Sequence, residues 1–386
     1  MRILVAGGGI SGLATAVALG RRGHEVLVLE QRPLFAASGT GISLAPHAFQ
    51  LLDRLGVGDA VRERSLTIDA FHVRDGSTGE LVSSVALPAC RRGACPTHAT
   101  AHRLDVHEPL LDACWELDSV HLHADSRVVD YTEHPGSVTV GLADGRTLTG
   151  DALVLADGSH SLAHHRPEWA AGAPEGHLAV YRTVIPMELV ADRWQDRATT
   201  CWVGRQWHIS HHPLPDDAYL SVSATRHHHT GGGLFGDRVD LEQVLAAFPE
   251  IGYEARNLLT TGRHWRAWTA PRRRTPLGWA RGRVALVGDS AHPARLLAAS
   301  GIHDVLEDAV ELGASWDTAE GGVADRLADY AAQREEQVRH GHAEFAAGRG
   351  RPQGGADRPH AHPVRPAGTA ATAACGPVTS SSAARC

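Results

Sequence analysis

The chain has 386 residues, enough for two domains with separate cores, and a formal net charge of −7. That charge argues against nucleic acid or an anionic membrane as the main partner, and no stretch reaches the length of an apolar membrane span. All 37 basic residues are arginine, which excludes lysine Schiff-base chemistry and a P-loop.

Residues 2–6 read as a short buried strand, followed at once by Gly7-Gly8-Gly9-Ile10-Ser11-Gly12. A helix follows over residues 13–22, stopped by Gly23, and a second buried strand over 26–29 ends in Glu30. This order is that of a dinucleotide-binding turn. Gly7 permits the tight turn, Gly9 lets a pyrophosphate approach the backbone, and Gly12 lets the helix pack on the sheet. Glu30, 18 residues beyond Gly12, is placed to accept hydrogen bonds from an unmodified adenosine ribose. Gly231 to Gly236 repeats the glycine spacing without a preceding strand tip or a following acid, and is expected to be a loop.

Residues 39–44 suggest a glycine-rich turn entering a strand, and 46–55 a helix stopped by Gly56. Residues 68–74 and 80–87 alternate as a hairpin around Asp75-Gly76. His102-Arg103-Leu104-Asp105 leads into a helix through Trp115. Residues 120–122, 128–131, 137–142 and 147–148 are expected to form a meander, and 152–156 a fully apolar strand running into Asp157-Gly158. Longer alternating strands follow at 177–185, 199–203, 206–211 and 219–225, then a helix at 241–248. The chain returns with a buried strand at 283–287 ending in Gly288-Asp289-Ser290, and helices at 301–312 and 323–345. The remainder lacks apolar periodicity and is expected to be disordered.

Six cysteines without a C-x-x-C pair suit reduced thiols in a cytosol, and with the first strand at the start no signal peptide is expected. Cys90, Cys95, His98 and His102 are too close together for a usual zinc finger. With 26 histidines chance clusters are common, so no metal site is expected.

The ordered set of glycine turn with Glu30, Arg103-Leu104-Asp105, Asp157-Gly158 and Gly288-Asp289 resembles the group A flavoprotein monooxygenases, the para-hydroxybenzoate and salicylate hydroxylase type. The resemblance covers roughly residues 1–345. It implies an α/β fold: a Rossmann-type FAD-binding domain, a mixed β-sheet substrate domain and C-terminal helices. The FAD-binding domain would take residues 1–70, 98–175 and 275–346, the substrate domain 71–97 and 176–274, leaving 347–386 as a tail. Gly7, Gly9 and Gly12 would hold the pyrophosphate of FAD, Glu30 with Arg32 beside it the adenosine ribose, and Arg103 the pyrophosphate or ribityl region. Asp289 would take a ribityl hydroxyl, Asp157-Gly158 would touch FAD and nicotinamide, and Gly301 would close the loop beside the flavin.

The implied reaction is aromatic hydroxylation through a flavin C4a-hydroperoxide, using FAD, NADH or NADPH, and O2, on an aromatic or polyketide-like small molecule. Epoxidation, Baeyer–Villiger insertion, non-oxygenating oxidation, or a flavoprotein scaffold without turnover stand as alternatives. His208, His211 and His212 are candidate bases or substrate ligands because imidazole titrates near neutral pH. On a strand His208 and His212 share a face and His211 points away; a solvated face carrying ordinary surface histidines is the competing expectation. His208, His212 and Arg182 are the catalytic candidates, with Trp202 and Trp207 as pocket or core walls. The chain departs from the family at Ala298-Ala299, where glycines are common, at Ser300 and His303 in place of Gln and Asn, and at His164 near the usual position of an arginine. A cytoplasmic monomer or homodimer is expected.

Overall fold

The computed structural model describes residues 1–36, 41–87, 98–169, 176–228, 233–271, 278–292, 301–318 and 321–348. The first βαβ unit runs β1 (Arg2–Ala6), α1 (Ile10–Gly20) and β2 (Glu25–Leu29). All but the first residue of each strand is buried, because both faces of this sheet are covered. Gly7 sits at φ +112°, and a side chain there would meet the carbonyl of Ala156. One on Gly12 would meet the carbonyl of Gly7, so the helix start and strand end can touch only as glycines.

Next come β3 (Gly41–Leu44), α2 (Pro46–Arg54), α3 (Gly58–Glu63) and β4 (Leu66–Thr67). The hairpin β5 (Ala70–Asp75) and β6 (Leu81–Ala86) precedes β7 (Ala99–His102) and α4 (Arg103–Trp115). Asp105 caps α4 by accepting from the His102 N–H at 2.8 Å. Then follow β8 (Val120–His123), β9 (Val128–His134), β10 (Ser137–Leu142), β11 (Thr147–Gly150) and β12 (Ala152–Leu155).

The second half opens with β13 (His177–Pro186), β14 (Ala198–Val203), β15 (Trp207–Pro213), β16 (Tyr219–His228) and β17 (Phe235–Val239). Two helices, α5 (Leu241–Ala247) and α6 (Tyr253–Thr261), precede β18 (Trp265–Pro271), β19 (Ala280–Arg281) and β20 (Val284–Leu286). The helices α7 (Gly301–Thr318) and α8 (Val323–Gly348) complete the described chain.

Two large sheets organise these elements. The six-stranded one has the order β19-β20-β12-β1-β2-β8, parallel except for β19. The eight-stranded one has the order β17-β18-β13-β16-β15-β14-β5-β6, antiparallel except where β5 runs parallel to β14. Strands β9–β11 form a third sheet, and β3, β7 and β4 a fourth that carries Gly41 against the end of β15. The first core packs α1 against the parallel sheet, α4 and α7; the second packs the far face of the eight-stranded sheet against α5 and α6.

Four expectations change. Strand β8 is not the start of the meander but an edge strand beside β2. Helices α3 and α6 and strands β17 and β18 were not anticipated from the sequence. The second glycine repeat ends in β17 rather than in a loop, with Gly236 in a bulge at φ +79°. Helix α8 extends past residue 345, so residues 347 and 348 belong to it; the rest of the expected tail lies outside the described residues.

Candidate active site

Strands β1, β2, β12 and β20 run parallel, so Gly7, Glu30, Asp157 and Gly288-Asp289-Ser290 all emerge at one edge of the sheet. This is the edge at which open α/β sheets bind ligands. Gly9 precedes the first turn of α1 with no side chain capping the helix, and a Cβ there would meet nothing within 4 Å. Unfilled space above uncapped N–H groups is the shape a pyrophosphate requires. Glu30 follows β2: its Oε2 accepts from the Gly8 N–H at 2.7 Å and its Oε1 from the Arg32 N–H at 2.9 Å. His107, on α4, contributes a ring nitrogen 2.9 Å from the Gly8 carbonyl and holds the glycine turn from behind.

The other end of the groove is pinned by Ser290. Its hydroxyl donates to Asp157 Oδ1 at 3.1 Å and accepts from the Gly158 N–H at 3.0 Å. Asp157 Oδ2 takes the Leu162 N–H at 2.8 Å, so both carboxylate oxygens shape the turn. His164 joins the same tie, with Nε2 2.9 Å from the Ser290 carbonyl and Nδ1 3.2 Å from that of Ser159. Arg166 instead pairs with Glu168 and Asp130 beside the small β9–β11 sheet.

Behind this turn lies a buried charged network. Asp308 on α7 is fully buried; it accepts from the Gly288 N–H at 2.7 Å, faces His292 Nε2 at 2.5 Å and takes Arg334 Nε from α8 at 2.8 Å. Burial pushes the Asp308 carboxyl upward, but His292 and Arg334 more than offset it and hold it below the usual range. A His, an Asp and an Arg spaced 16 and 26 residues apart carry no local signature.

Arg103 is the first residue of α4 and reaches solvent. Desolvation by the surrounding protein lowers its pKa, the nearby Asp289 opposes that shift, and Arg32 adds to it. Arg182 on β13 is pulled down to about 10, by burial first and then by Arg103, again opposed by Asp289. Arg103 and Arg182 thus lie near one another with Asp289 as their shared carboxylate and Arg32 close to Arg103, a balance suited to an anionic ligand.

The floor of the groove is one face of the eight-stranded sheet. Strand pairing aligns Arg182 with Ser223 and Ser210 in one row, Ser221 with His212 in the next, and Thr225 with His208 on the other side. Cross-strand partners share a face, so Arg182, His208 and His212 look the same way over small serine side chains. Trp268 flanks them, its ring 5.7 Å from the Arg182 guanidinium carbon. His211 points into the opposite core against Trp194 and Trp202. His211 and His212 are buried, contrary to the surface-histidine expectation, and His208 is half-buried.

Burial lowers the pKa of His208 to about 4, of His211 to about 3, and of His212 to about 4; Arg182 and His102 add to the shift of His212. His212 Nε2 has no hydrogen-bond partner among the described residues and lies where a side chain on Gly41 would fall. Trp202 and Trp207 belong to the core, not to the groove. Cys90, Cys95 and residues 293–300, including Ala298 and Ala299, lie outside the described residues; Gly301 opens α7.

A parallel sheet with a nucleotide cradle, joined to a second sheet whose face carries neutral imidazoles and arginine, defines a nucleotide-dependent oxidoreductase. A family model described as FAD binding domain matches residues 1–342. The chain is 37% identical over 313 residues to a 3-hydroxybenzoate 6-hydroxylase of Polaromonas naphthalenivorans (strain CJ2), covering 81% of this chain and 78% of that protein. It is 34% identical over 322 residues to 3-hydroxybenzoate 6-hydroxylase 1 of Aquipseudomonas alcaligenes, covering 82% and 81%. A salicylate hydroxylase substrate complex superposes with a TM-score of 0.72 over 90% of this chain and 87% of that one, at 22% identity. The chain belongs to the group A FAD-dependent monooxygenases. Its cofactor is FAD, and the open helix start, Glu30, Arg103 and Asp289 fit that molecule.

Proposed function

We propose that this monooxygenase hydroxylates the ring of a small aromatic acid that already bears a ring hydroxyl. An aromatic C–H, O2, NADH or NADPH and a proton become a C–OH, water and the oxidised nicotinamide. The carrying observation is His212: a buried imidazole, neutral at physiological pH, whose Nε2 is unpartnered over the serine floor beside Arg182. When bound, FAD passes electrons from the nicotinamide to oxygen and supplies an electrophilic oxygen atom.

The chain's own residues do the rest. Gly7, Gly9 and Gly12 leave room for the pyrophosphate; Glu30 and Arg32 hold the adenosine end, and Arg103 and Asp289 the middle. Asp157, Gly158 and Gly301 shape the flavin end. Arg182 pairs with the substrate carboxylate over the small side chains of Ser210 and Ser223, and Trp268 flanks the ring. His212 Nε2 takes the phenol proton, raising electron density on the ring as oxygen transfers, and the burial of this face keeps water out. His208 lines the far side of the pocket. We divide the chain into an FAD-binding part (1–70, 98–175, 275–346) and a substrate part (71–97, 176–274), a reading supported by the presence of two large sheets. The described cysteines, Cys114 and Cys201, are free, which suits a cytosolic enzyme.

The test is nicotinamide consumption by the FAD-loaded protein with 3-hydroxybenzoate, and the product mass. The expected result is substrate-stimulated consumption and a product heavier by one oxygen. His212→Gln should lower kcat by about 10²-fold or more with FAD content unchanged. In the wild type, kcat/KM should hold as pH falls below 6.5 and drop only near the pKa of His212, about 4. A variant with undiminished kcat, or an acid limb centred at 6.5, contradicts the role of His212; no stimulation by any hydroxybenzoate contradicts the substrate class.

A further inference from the structure

We propose that His47, His303 and Glu307 form a binding site for one divalent transition-metal ion of the zinc type. His47 is the second residue of α2; His303 and Glu307 are one turn apart on α7, so they share a helical face. One ligand atom from each falls in a group whose members all lie within 4.8 Å of one another.

Without an ion, His47 and Glu307 make a long direct contact, and the same spacing admits an ion between them. His47 Nε2 is 3.4 Å from Glu307 Oε1, and His303 Nε2 is 3.9 Å from Glu307 Oε2. Good N–H···O bonds are about 2.7–3.2 Å. Two ligands about 2.0–2.2 Å from a tetrahedral ion stand roughly 3.4 Å apart. The supporting groups are also in place. His47 Nδ1 lies 3.3 Å from Gln50 Oε1 and can donate its N–H there, which leaves the Nε2 lone pair facing Glu307. Arg334 Nη1 holds Glu307 Oε2 at 2.5 Å, fixing the carboxylate with Oε1 turned to His47.

Asp304 Oδ1, 3.6 Å from His303 Nε2, adds negative charge that balances Arg334, and the half-exposed position admits water as a remaining ligand. One turn along the same helix pair, Arg54 and Glu311 make an ordinary surface ion pair at 3.4 Å. Two imidazoles and a carboxylate suit zinc or cobalt rather than magnesium or calcium. The ion would brace α2 against α7, the helix that carries Asp308 and so the turn holding Asp289. Its role is structural.

The experiment uses the full-length, FAD-loaded protein after chelator treatment. Zinc is titrated by calorimetry, and cobalt by its visible absorption. One equivalent should bind, zinc should raise the melting temperature, and His47→Ala or His303→Asn should weaken binding at least tenfold, with FAD content unchanged in His47→Ala. His121→Ala, which removes an exposed histidine on the far edge strand, should leave binding as in the wild type. Equal affinity in wild type, His47→Ala and His303→Asn, or no bound equivalent, overturns the site whether or not the protein hydroxylates benzoates.

Discussion

Glu30 shows how much one side chain can hold. Its two oxygens take two backbone N–H groups, one from the glycine turn and one from the residues after β2, so the carboxylate is aimed before any nucleotide arrives. Hydrogen bonds to a charged group contribute about 1.5–3 kcal/mol each. Glu30→Ala should therefore weaken FAD binding by about tenfold to a hundredfold while leaving the fold intact, read from flavin fluorescence during titration. An unchanged Kd would mean that the adenosine ribose is held elsewhere. The three neighbouring histidines make the same point in reverse. His208, His211 and His212 have equal chemistry, and strand parity alone sends His211 into the core with the tryptophans and His212 into the groove.

At the scale of elements, the turn Gly288–Ser290 joins three parts of the chain. Ser290 ties it to the end of β12, and Asp308 ties it to α7 and, through Arg334, to α8. Replacing one partner of such a buried network leaves the others charged and uncompensated, at a cost of about 3–5 kcal/mol. Asp308→Asn should lower the urea midpoint accordingly and weaken FAD binding with it, since the same turn presents Asp289. A variant with wild-type stability would show that water or a rearranged His292 replaces the carboxylate. The glycine turn is a second joint of this kind: Gly7 and Gly12 touch where neither could carry a side chain, which fixes α1 on β1 and opens the helix start to phosphate.

For the whole molecule, buried ionisable groups set the pH range of stability. His208, His211 and His212 have folded pKa values near 4, 3 and 4 against 6.5 when unfolded, so below 6.5 the unfolded chain binds more protons. Their effect is a loss of stability as pH falls from 6.5 towards 4. His292 behaves oppositely: burial pulls its pKa down, but Asp308 raises it overall, so its contribution is full below 6.5 and is lost as pH rises through the raised value. Asp308 contributes fully above 3.8 and loses its contribution only as pH drops through its depressed value. His24, His98, His107 and His123 are lowered as well, so seven described histidines act in one direction and His292 in the other. Urea midpoints measured from about pH 4 to about pH 8 should therefore peak above 6.5 and fall steeply on the acid side. A flat profile between 4 and 6.5 would mean that water reaches the three imidazoles.

The sequence by itself determined what local chemistry can encode. The first βαβ unit, with its glycines and Glu30, the helix from Arg103 and the strand before Asp289 were legible because apolar runs, caps and turns act over a few residues. The short helices α3 and α6 lack enough periodicity to stand out, and β8, with alternating histidines, looks the same whether it joins a meander or an edge of the main sheet. Tertiary structure alone decided which residues meet. Asp308 reaches His292 and Arg334, Gly41 reaches His212, and Arg182 lines up with Ser210 across two strands, through pairings tens to hundreds of residues apart. Such contacts arise from sheet register and helix packing, and neither is written in the spacing of residues along one segment.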